Sequence, residues 1–409
     1  MNIFLINHYA GSPEMGMEYR PYYLAKEWIK LGHTVTILAA TFSHIRHTNP
    51  DFETEITEQN VDDINYIWIK TPKYQGNGIA RTKNMFSFIK KTLYKSSFFV
   101  KKYKPDIVIA SSTYPSDNYV AKKISKLSGA KFIYEVHDLW PLSPIELGGM
   151  NKYHPFIVAM QHAENFAYHK ADAVVSMLPK TKEHMTSKGL NPKKWHFIPN
   201  GIVVDEWNKN VKLNKNYYDI ISNLKKRNKF IIGYTGGHAL SNSLITIIEA
   251  AKKISKIDID IQFVLVGNGN EKKNLIEQSK GLENILFLNS IPKQEIPSLL
   301  SLMDVLIITW NKSPLYRFGI NPNKIFDYMM ASKPIIHAVD APNNFVDEAK
   351  CGIAVDAENT DGIINSIIKF KQMPKDELIK MGQNGHEFVK NNYDYKVLAK
   401  KYIDIISNI

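Results

Sequence analysis

The chain has 409 residues, 44% of them apolar and 22% charged, a composition that argues against disorder. At roughly 100–200 residues per domain this length suggests two domains, or three. The net charge is +12, and the first 200 residues hold 25 Lys and Arg against 17 Asp and Glu, so the first half is the more basic. A nucleic acid, an anionic membrane face or an anionic substrate each fits that charge.

A single cysteine, Cys351, permits no internal disulfide and suits a reducing compartment. The opening "MNIFLINHYAGSP" lacks a basic leader and is strand-like. No run reaches the roughly 18 apolar residues of a membrane span. A cytoplasmic protein is expected, with at most peripheral contact on the inner membrane face. There is no recognisable nucleic-acid motif, and the lysines are scattered, so nucleic-acid binding is set aside.

Short apolar runs alternate with helix-spaced segments. In the first half, strands are expected at 2–9, 34–41, 106–112, 131–138, 172–178 and 195–201; in the second, at 229–237, 261–269, 284–290, 304–310, 334–339 and 352–357. Runs apolar on both faces suit parallel strands covered by helices, so the pattern predicts two doubly wound α/β domains in tandem. The change falls near "IPNGIVVDEW". The expected domains are 1–200 and 201–389, with a helix at about 390–409 packing back on the first. In open α/β sheets, ligands bind beyond the carboxyl ends of the strands. Two such domains facing each other would enclose a cleft.

The loop after the first strand, "NHYAGSPEMGMEYR", contains Gly11, Met15 and Gly16 before a helix expected from about Met17. Glycines before a helix start let backbone amides approach an anion or a sugar hydroxyl. Next, "RTKNMFSFIKKTLYKSSFFVKKYK" (81–104) carries seven lysines and Arg81. Met85, Phe86, Ile89, Leu93 and Val100 are expected on one stripe, packing on the sheet, lying on an anionic bilayer, or dividing the two tasks with the lysines. In "YEVHDLWPLSP", His137 and Asp138 stand where a strand ends, and a histidine there can donate to a sugar hydroxyl.

In the second half, "GYTGGHALSN" offers Gly236, Gly237 and His238 before a helix expected near Ser241, a candidate phosphate cradle. "VGNGNEKKNL" offers Gly267 and Gly269, whose bare backbone could meet a flat base, with Ile291 nearby to read it through main-chain groups. "DID" at 258–260 mimics a metal-binding triplet but precedes a strand, so it is taken as a solvated turn. No metal is expected to be required. In "RFGINPNKIFDYMMASKPII", Pro322 suits a helix start and Lys324 and Asp327 share a helix face. An exposed helix start favours a diphosphate, Asp327 can accept from a ribose diol, and Arg317 and Lys324 can offset charge on a leaving phosphate.

Read in order, the glycine loop, "EVHD", "IPNG", "VGNG" and "PNKIFDYMMASKPII" resemble glycosyltransferase family 4, retaining enzymes of the GT-B fold, over essentially the whole chain. "HDLWP" and "PNKIFDYMMASKPI" are most similar to the subgroup building bacterial surface polysaccharides, which includes the N-acetylfucosamine transferases of O-antigen assembly. The resemblance implies two Rossmann-like domains facing across a cleft, a UDP-linked sugar donor and a polyprenyl-diphosphate-linked sugar acceptor. It implies that Gly16 and its neighbours meet the donor diphosphate or the acceptor, with Gly11, Met15 and Asp138 on the acceptor side. His137 would contact the transferring sugar. Asp327 would match the second acid of the family's Glu-x7-Glu motif, and the amides of Asn323, Lys324 and Ile325 would face the diphosphate.

Two positions depart from the family pattern. Gly319 stands where the motif's first Glu is expected, and the Arg and Lys that follow the glycines of "YTGG" are absent, with His238 and Asn242 in that region. Two other readings therefore stay open: a UDP-sugar 2-epimerase on the same fold, drawing on Glu135, Asp138 and Glu146, or a non-catalytic sugar-nucleotide-binding protein.

Overall fold

Eight strands form the first sheet: β1 (Asn2–Ile6), β2 (Thr34–Ala40), β3 (Ile56–Val61), β4 (Ile64–Ile69), β5 (Ile107–Ala110), β6 (Lys131–Val136), β7 (Ala173–Ser176) and β8 (Trp195–Phe197). The computed structural model that defines them describes residues 1–16, 19–76, 78–209 and 211–409. The sheet runs β3-β4-β2-β1-β5-β6-β7-β8 and is parallel apart from the antiparallel β3–β4 pair. The central strands are buried on both faces, as their unbroken apolar sequence requires. Helices α1 (Tyr19–Lys30), α2 (Ile79–Tyr103), α3 (Asp117–Ser128), α4 (Leu142–Glu146) and α5 (Pro155–Lys170) connect them.

The second sheet contains β9 (Phe230–Thr235), β10 (Ile261–Val266), β11 (Ile285–Leu288), β12 (Val305–Thr309), β13 (Ile335–Ala338) and β14 (Gly352–Val355). It is parallel throughout, in the order β11-β10-β9-β12-β13-β14. Strand order reverses between β1 and β5 in one sheet and between β9 and β12 in the other, the switch points at which open α/β sheets in general bind ligands. The chain divides into two units, Met1–Asn200 with Tyr395–Ile409, and Gly201–Asp394. The closing helix Tyr395–Ser407 lies on α1: Trp28 meets the Tyr402 ring edge-on at 5.1 Å, and its indole N–H donates to the Ala399 carbonyl.

Three differences from the sequence expectation have clear causes. The first sheet has eight strands where six are expected, because "ITEQNV" and "INYIWI" form an edge hairpin. The polar face of β3 is solvated, and its turn uses Asp62 and Asp63 in the left-handed region, at φ 52° and 69°, in place of Asn-Gly. Next, α2 buries Met85, Phe88, Ile89, Thr92, Ser96 and Phe99. The expected stripe is thus rotated: Phe86 points out, 66% exposed, and hydroxyls bonded back to their own helix take up inner positions. Third, the helix expected near Ser241 begins at Leu244 after a short 3₁₀ turn, and the described part of α1 begins at Tyr19, Met17 lying outside the described residues. No helix among the described residues is long and apolar enough to cross a membrane.

The glycine-bearing loop after β1 is fixed by a buried arginine. Arg46 donates from Nε to the Ala10 carbonyl at 2.9 Å and from Nη2 to the carbonyls of His8 and Ala40 at 3.2 and 2.9 Å. Its guanidinium also lies 5.2 Å from the Trp68 ring. Arg46→Met would take this donor from the buried Ala10 and Ala40 carbonyls, the His8 carbonyl keeping the Ala40 N–H. The first unit should lose about 3 kcal/mol, read as a shift in its urea midpoint. A loss under about 0.5 kcal/mol would mean that the loop is anchored otherwise.

Candidate functional site

At the end of β9, Gly236 and Gly237 turn the chain, and Lys324 lies over that turn. Its Nζ donates to Tyr234 Oη at 2.9 Å and Asn242 Oδ1 at 2.6 Å, 4.8 Å from the Tyr234 ring centre. A Cβ on Gly236 would stand 3.2 Å from Nζ. Burial pulls the Lys324 ammonium down to about 7. The helix bearing it, Asn323–Met330, is held by Tyr328, whose hydroxyl accepts from Thr235 N at 2.6 Å and donates to Thr235 O at 3.2 Å. Its N-cap residue, Pro322, supplies no side-chain hydrogen bond to it. The amide of Ile325 is engaged by the Pro322 carbonyl at 3.3 Å and its side chain is core, whereas the amides of Asn323 and Lys324 have no backbone acceptor among the described residues.

Asp327 lies one turn on. It forms neither an ion pair with Lys324 nor any side-chain hydrogen bond among the described residues, so the two are not a surface pair. Burial pushes its carboxyl up to about 6, against the pull of Lys293. Such a group is an acceptor held ready for a donor.

The loops after β9 and β10 are joined. Gly236 N donates to Val266 O at 3.0 Å and His238 N to Asn268 O at 2.9 Å. A Cβ on Gly267 would fall 1.9 Å from the Gly236 carbonyl, and one on Gly269 would fall 2.3 Å from that of His238. These glycines are therefore required by loop–loop contact. The His238 ring is buried with both nitrogens unbonded, and burial beside Lys272 and Lys324 lowers it to about 4. Lys272, unremarked in the sequence, is spent on the carbonyls of Gly267 and Leu288, both at 2.8 Å. Ile291 packs its side chain on the core beside the Asn323 helix.

Gly319 explains its own departure from the family motif. It adopts φ 99° and ψ 176°, a region essentially closed to residues with a Cβ. Asn343 fixes the loop here, accepting from Ile320 N and donating to Ile320 O, each at 2.9 Å. Arg317 is exposed, with its guanidinium 4.4 Å from the Phe318 ring and Nη1 donating to the Pro314 carbonyl at 2.6 Å. Lys324, expected to share its role, is held instead by Tyr234 and Asn242.

In the first unit the strand-order reversal carries a buried polar network. Asn7 Nδ2 donates to Ser111 O at 2.7 Å, and Ser111 Oγ donates to Glu135 Oε1 at 2.8 Å. His137 Nε2 lies 3.0 Å from that oxygen and 2.9 Å from Ser111 Oγ. Glu135 Oε2 pairs with Arg20 Nη2 at 2.9 Å, the two side chains being 3% and 1% exposed. Burial pushes the Glu135 carboxyl up, but Arg20 and His137 overcome it and hold it far below the usual range. Arg20 also donates to the carbonyls of Ile198 and Pro199. Asp138, next to His137, is exposed. The Gly11 carbonyl accepts from Tyr66 Oη at 2.7 Å, and the Met15 carbonyl accepts from His47 N at 2.9 Å. Gly16 has φ +69°, and a Cβ there would strike the His47 ring.

Arg20, Ser111 and Asn7 escaped the sequence reading because nothing local marks an arginine in α1 as the partner of a glutamate 115 residues later. Glu135, weighed there as an epimerase carboxylate, is committed to Arg20 and His137. Asp258 and Asp260 are engaged by lysines, Asp258 with Lys371 at 2.6 Å and Asp260 with Lys229 at 3.7 Å. No cluster of three His, Cys, Asp or Glu side chains that could hold a metal occurs among the described residues.

The family models agree with this architecture. Residues 15–206 match Glycosyltransferase Family 4 and residues 219–406 match Glycosyl transferases group 1. The chain belongs to glycosyltransferase family 4 and is a glycosyltransferase of the GT-B type. It is 22% identical, over 78% of its length and 80% of the relative's, to a protein of Escherichia coli (strain K12) that carries the name colanic acid biosynthesis glycosyl transferase WcaI. It is 25% identical, over 52% of its length and 51% of the relative's, to one of Bacillus subtilis (strain 168) named for teichuronic acid biosynthesis, TuaH. The fold matches Anabaena Alr3699/HepE, crystallised with UDP and glucose, at a TM-score of 0.68 and 16% identity over 100% of both chains.

Two outcomes follow from this geometry. Gly319→Glu restores the family's residue type but should cost about 1–3 kcal/mol and raise no activity, measured by thermal melting and donor turnover. A stable, faster variant would refute the conformational account. Glu135→Gln should destabilise by about 3–5 kcal/mol by leaving Arg20 unpaired. Adding Arg20→Met should recover part of that loss in a double-mutant cycle; strict additivity would mean the pair is not coupled.

Proposed function

We propose that the protein is a retaining transferase that takes a hexose or 2-acetamido sugar, N-acetylfucosamine among the candidates, from UDP. It delivers the sugar to a hydroxyl of a polyprenyl-diphosphate-linked acceptor in O-antigen or capsule assembly. The observation that carries this reading is Lys324 above the Gly236–Gly237 turn, beside an uncapped helix start and an unbonded Asp327. The Anabaena protein's UDP and the surface-polymer names of the two relatives support it.

In this reading the donor diphosphate lies against Lys324 and the amides of Asn323 and Lys324, and Asp327 accepts from the ribose hydroxyls. His238, Gly237 and Ile291 border the nucleotide. On the first unit, His137 donates to the transferring sugar, and Gly11, Met15, Gly16 and Asp138 serve the acceptor side. The bond from the sugar's anomeric carbon to the diphosphate oxygen breaks, and one to the acceptor oxygen forms on the same face. The acceptor's proton passes to the departing diphosphate oxygen. Lys324 and the helix amides stabilise the charge developing there, which is the main catalytic term. The outer face of α2, with exposed Phe86 and Tyr94 among its lysines, suits contact with an anionic bilayer.

Asp327→Ala should abolish turnover of UDP-sugars in a donor screen read by product mass, and full activity would sink the assignment. The pH dependence has a definite sign. Lys324 is half-neutral near pH 7 in the free protein, and a bound diphosphate favours its charged form, so binding takes up a proton above that pH. UDP affinity should fall by up to about tenfold per unit between pH 7 and 9. Calorimetry in two buffers of different ionisation enthalpy should register the proton. Lys324→Arg, charged throughout, should flatten the dependence; an unchanged slope in that variant would assign the proton elsewhere.

A further inference from the structure

The first unit holds a groove of about 450 Å³ between α2, α3 and α5 that the reaction above leaves unused. Met85, Phe86 and Ile89 line it from α2, and Phe156, Ala159 and Met160 from α5. Each of the three helices begins after a strand that ends at the same edge of the sheet, since β4, β5 and β6 run parallel to one another. The first turns that make the groove therefore lie at the carboxyl edge, where His137 and Asp138 follow β6.

The connection between that polar edge and the groove is a cation. Arg81 opens α2 with its guanidinium 5.8 Å from both the Tyr9 and the Trp140 ring centres. Trp140 follows His137 and Asp138 by a few residues, and its ring meets Phe156, a groove wall, edge-on at 6.0 Å. The edge thus reads in sequence: His137, which the preceding reading gives to the sugar, and Asp138, then an arginine, then an apolar channel. The matching ligand carries the same order of sugar, diphosphate and hydrocarbon. A guanidinium binds phosphate oxygens in pairs. Unbranched methionine side chains mould to a flexible chain better than to a flat ring.

We propose that this groove receives the first isoprene units of the lipid-linked acceptor, with Arg81 at its diphosphate. The inference rests on the lipid-linked acceptor of the preceding reading and adds a site to it. Phe86, exposed on the rim, marks where the rest of a long chain leaves toward a bilayer.

The test uses the full chain and three probes: farnesyl diphosphate, farnesol and inorganic diphosphate, titrated by calorimetry below micellar concentrations. Farnesyl diphosphate should saturate and bind at least tenfold tighter than inorganic diphosphate. Ala159→Trp, at an exposed position that can accept bulk without disturbing the core, should fill the groove and weaken farnesyl diphosphate at least tenfold. Val158→Trp, its exposed neighbour outside the groove lining, should not. Arg81→Gln should bring farnesyl diphosphate down to the affinity of farnesol. Wild-type affinity in Ala159→Trp, or no advantage of farnesyl over inorganic diphosphate, overturns the proposal. An equal effect of Ala159→Trp on binding to phosphatidylglycerol vesicles would give the groove to bilayer lipid instead, and overturn it too. UDP titrated alongside keeps the two readings apart. Lost UDP binding strikes the donor assignment, while UDP bound normally beside farnesyl diphosphate unbound strikes only the groove.

Discussion

An ammonium group caged by neutral partners is what the second unit's site is built around. Lys324 is surrounded by a phenol, an amide oxygen and the faces of Tyr234 and Trp310, and among the described residues no acid pairs with it. A buried charge without a counter-ion is unfavourable. The protein sustains it by anchoring the helix through Tyr328 and by closing the loops after β9 and β10 on each other. What remains is a positive charge with no acidic partner among the described residues. Asp327, pushed up by the same burial, adds a second unspent group a turn away.

The first unit solves the opposite problem. At its strand-order reversal Arg20 pairs with Glu135, which also holds His137, so that ring has a fixed orientation. Rigidity reaches outward through Arg46, which ties the loop after β1 to the edge of β2. One unit thus keeps a charge waiting, while the other uses charges to fix geometry.

The legibility of the sequence follows the same division. Strands buried on both faces announce themselves as apolar runs, and all twelve of those runs correspond to strands. The β3–β4 hairpin did not, because its outer strand is half polar and its turn is Asp-Asp. The stripe of α2 was misjudged by its aromatic residues, because the groove leaves Phe86 uncovered and the inner positions accept self-bonded hydroxyls. Helix-start chemistry makes the placement of Lys324 and Asp327 on one helix legible within one segment. Gly319 was readable as a departure, though its reason lay in a backbone angle. Arg20, Arg46 and Ser111 act across long sequence distances, and only folding brings their partners together.

The closing helix has a bearing on how the protein is made. Tyr395–Ser407 completes the face of α1, with Tyr402 against Trp28 and Tyr395 5.3 Å from Tyr23. A ribosome releases α1 long before those residues exist. While Gly201–Asp394 is being synthesised, the aromatic face of α1 has no cover, and the unit begun first is finished last. Nascent chains therefore carry an exposed aromatic patch until residues 395–407 emerge, a period in which a chaperone, rather than the fold itself, has reason to hold it.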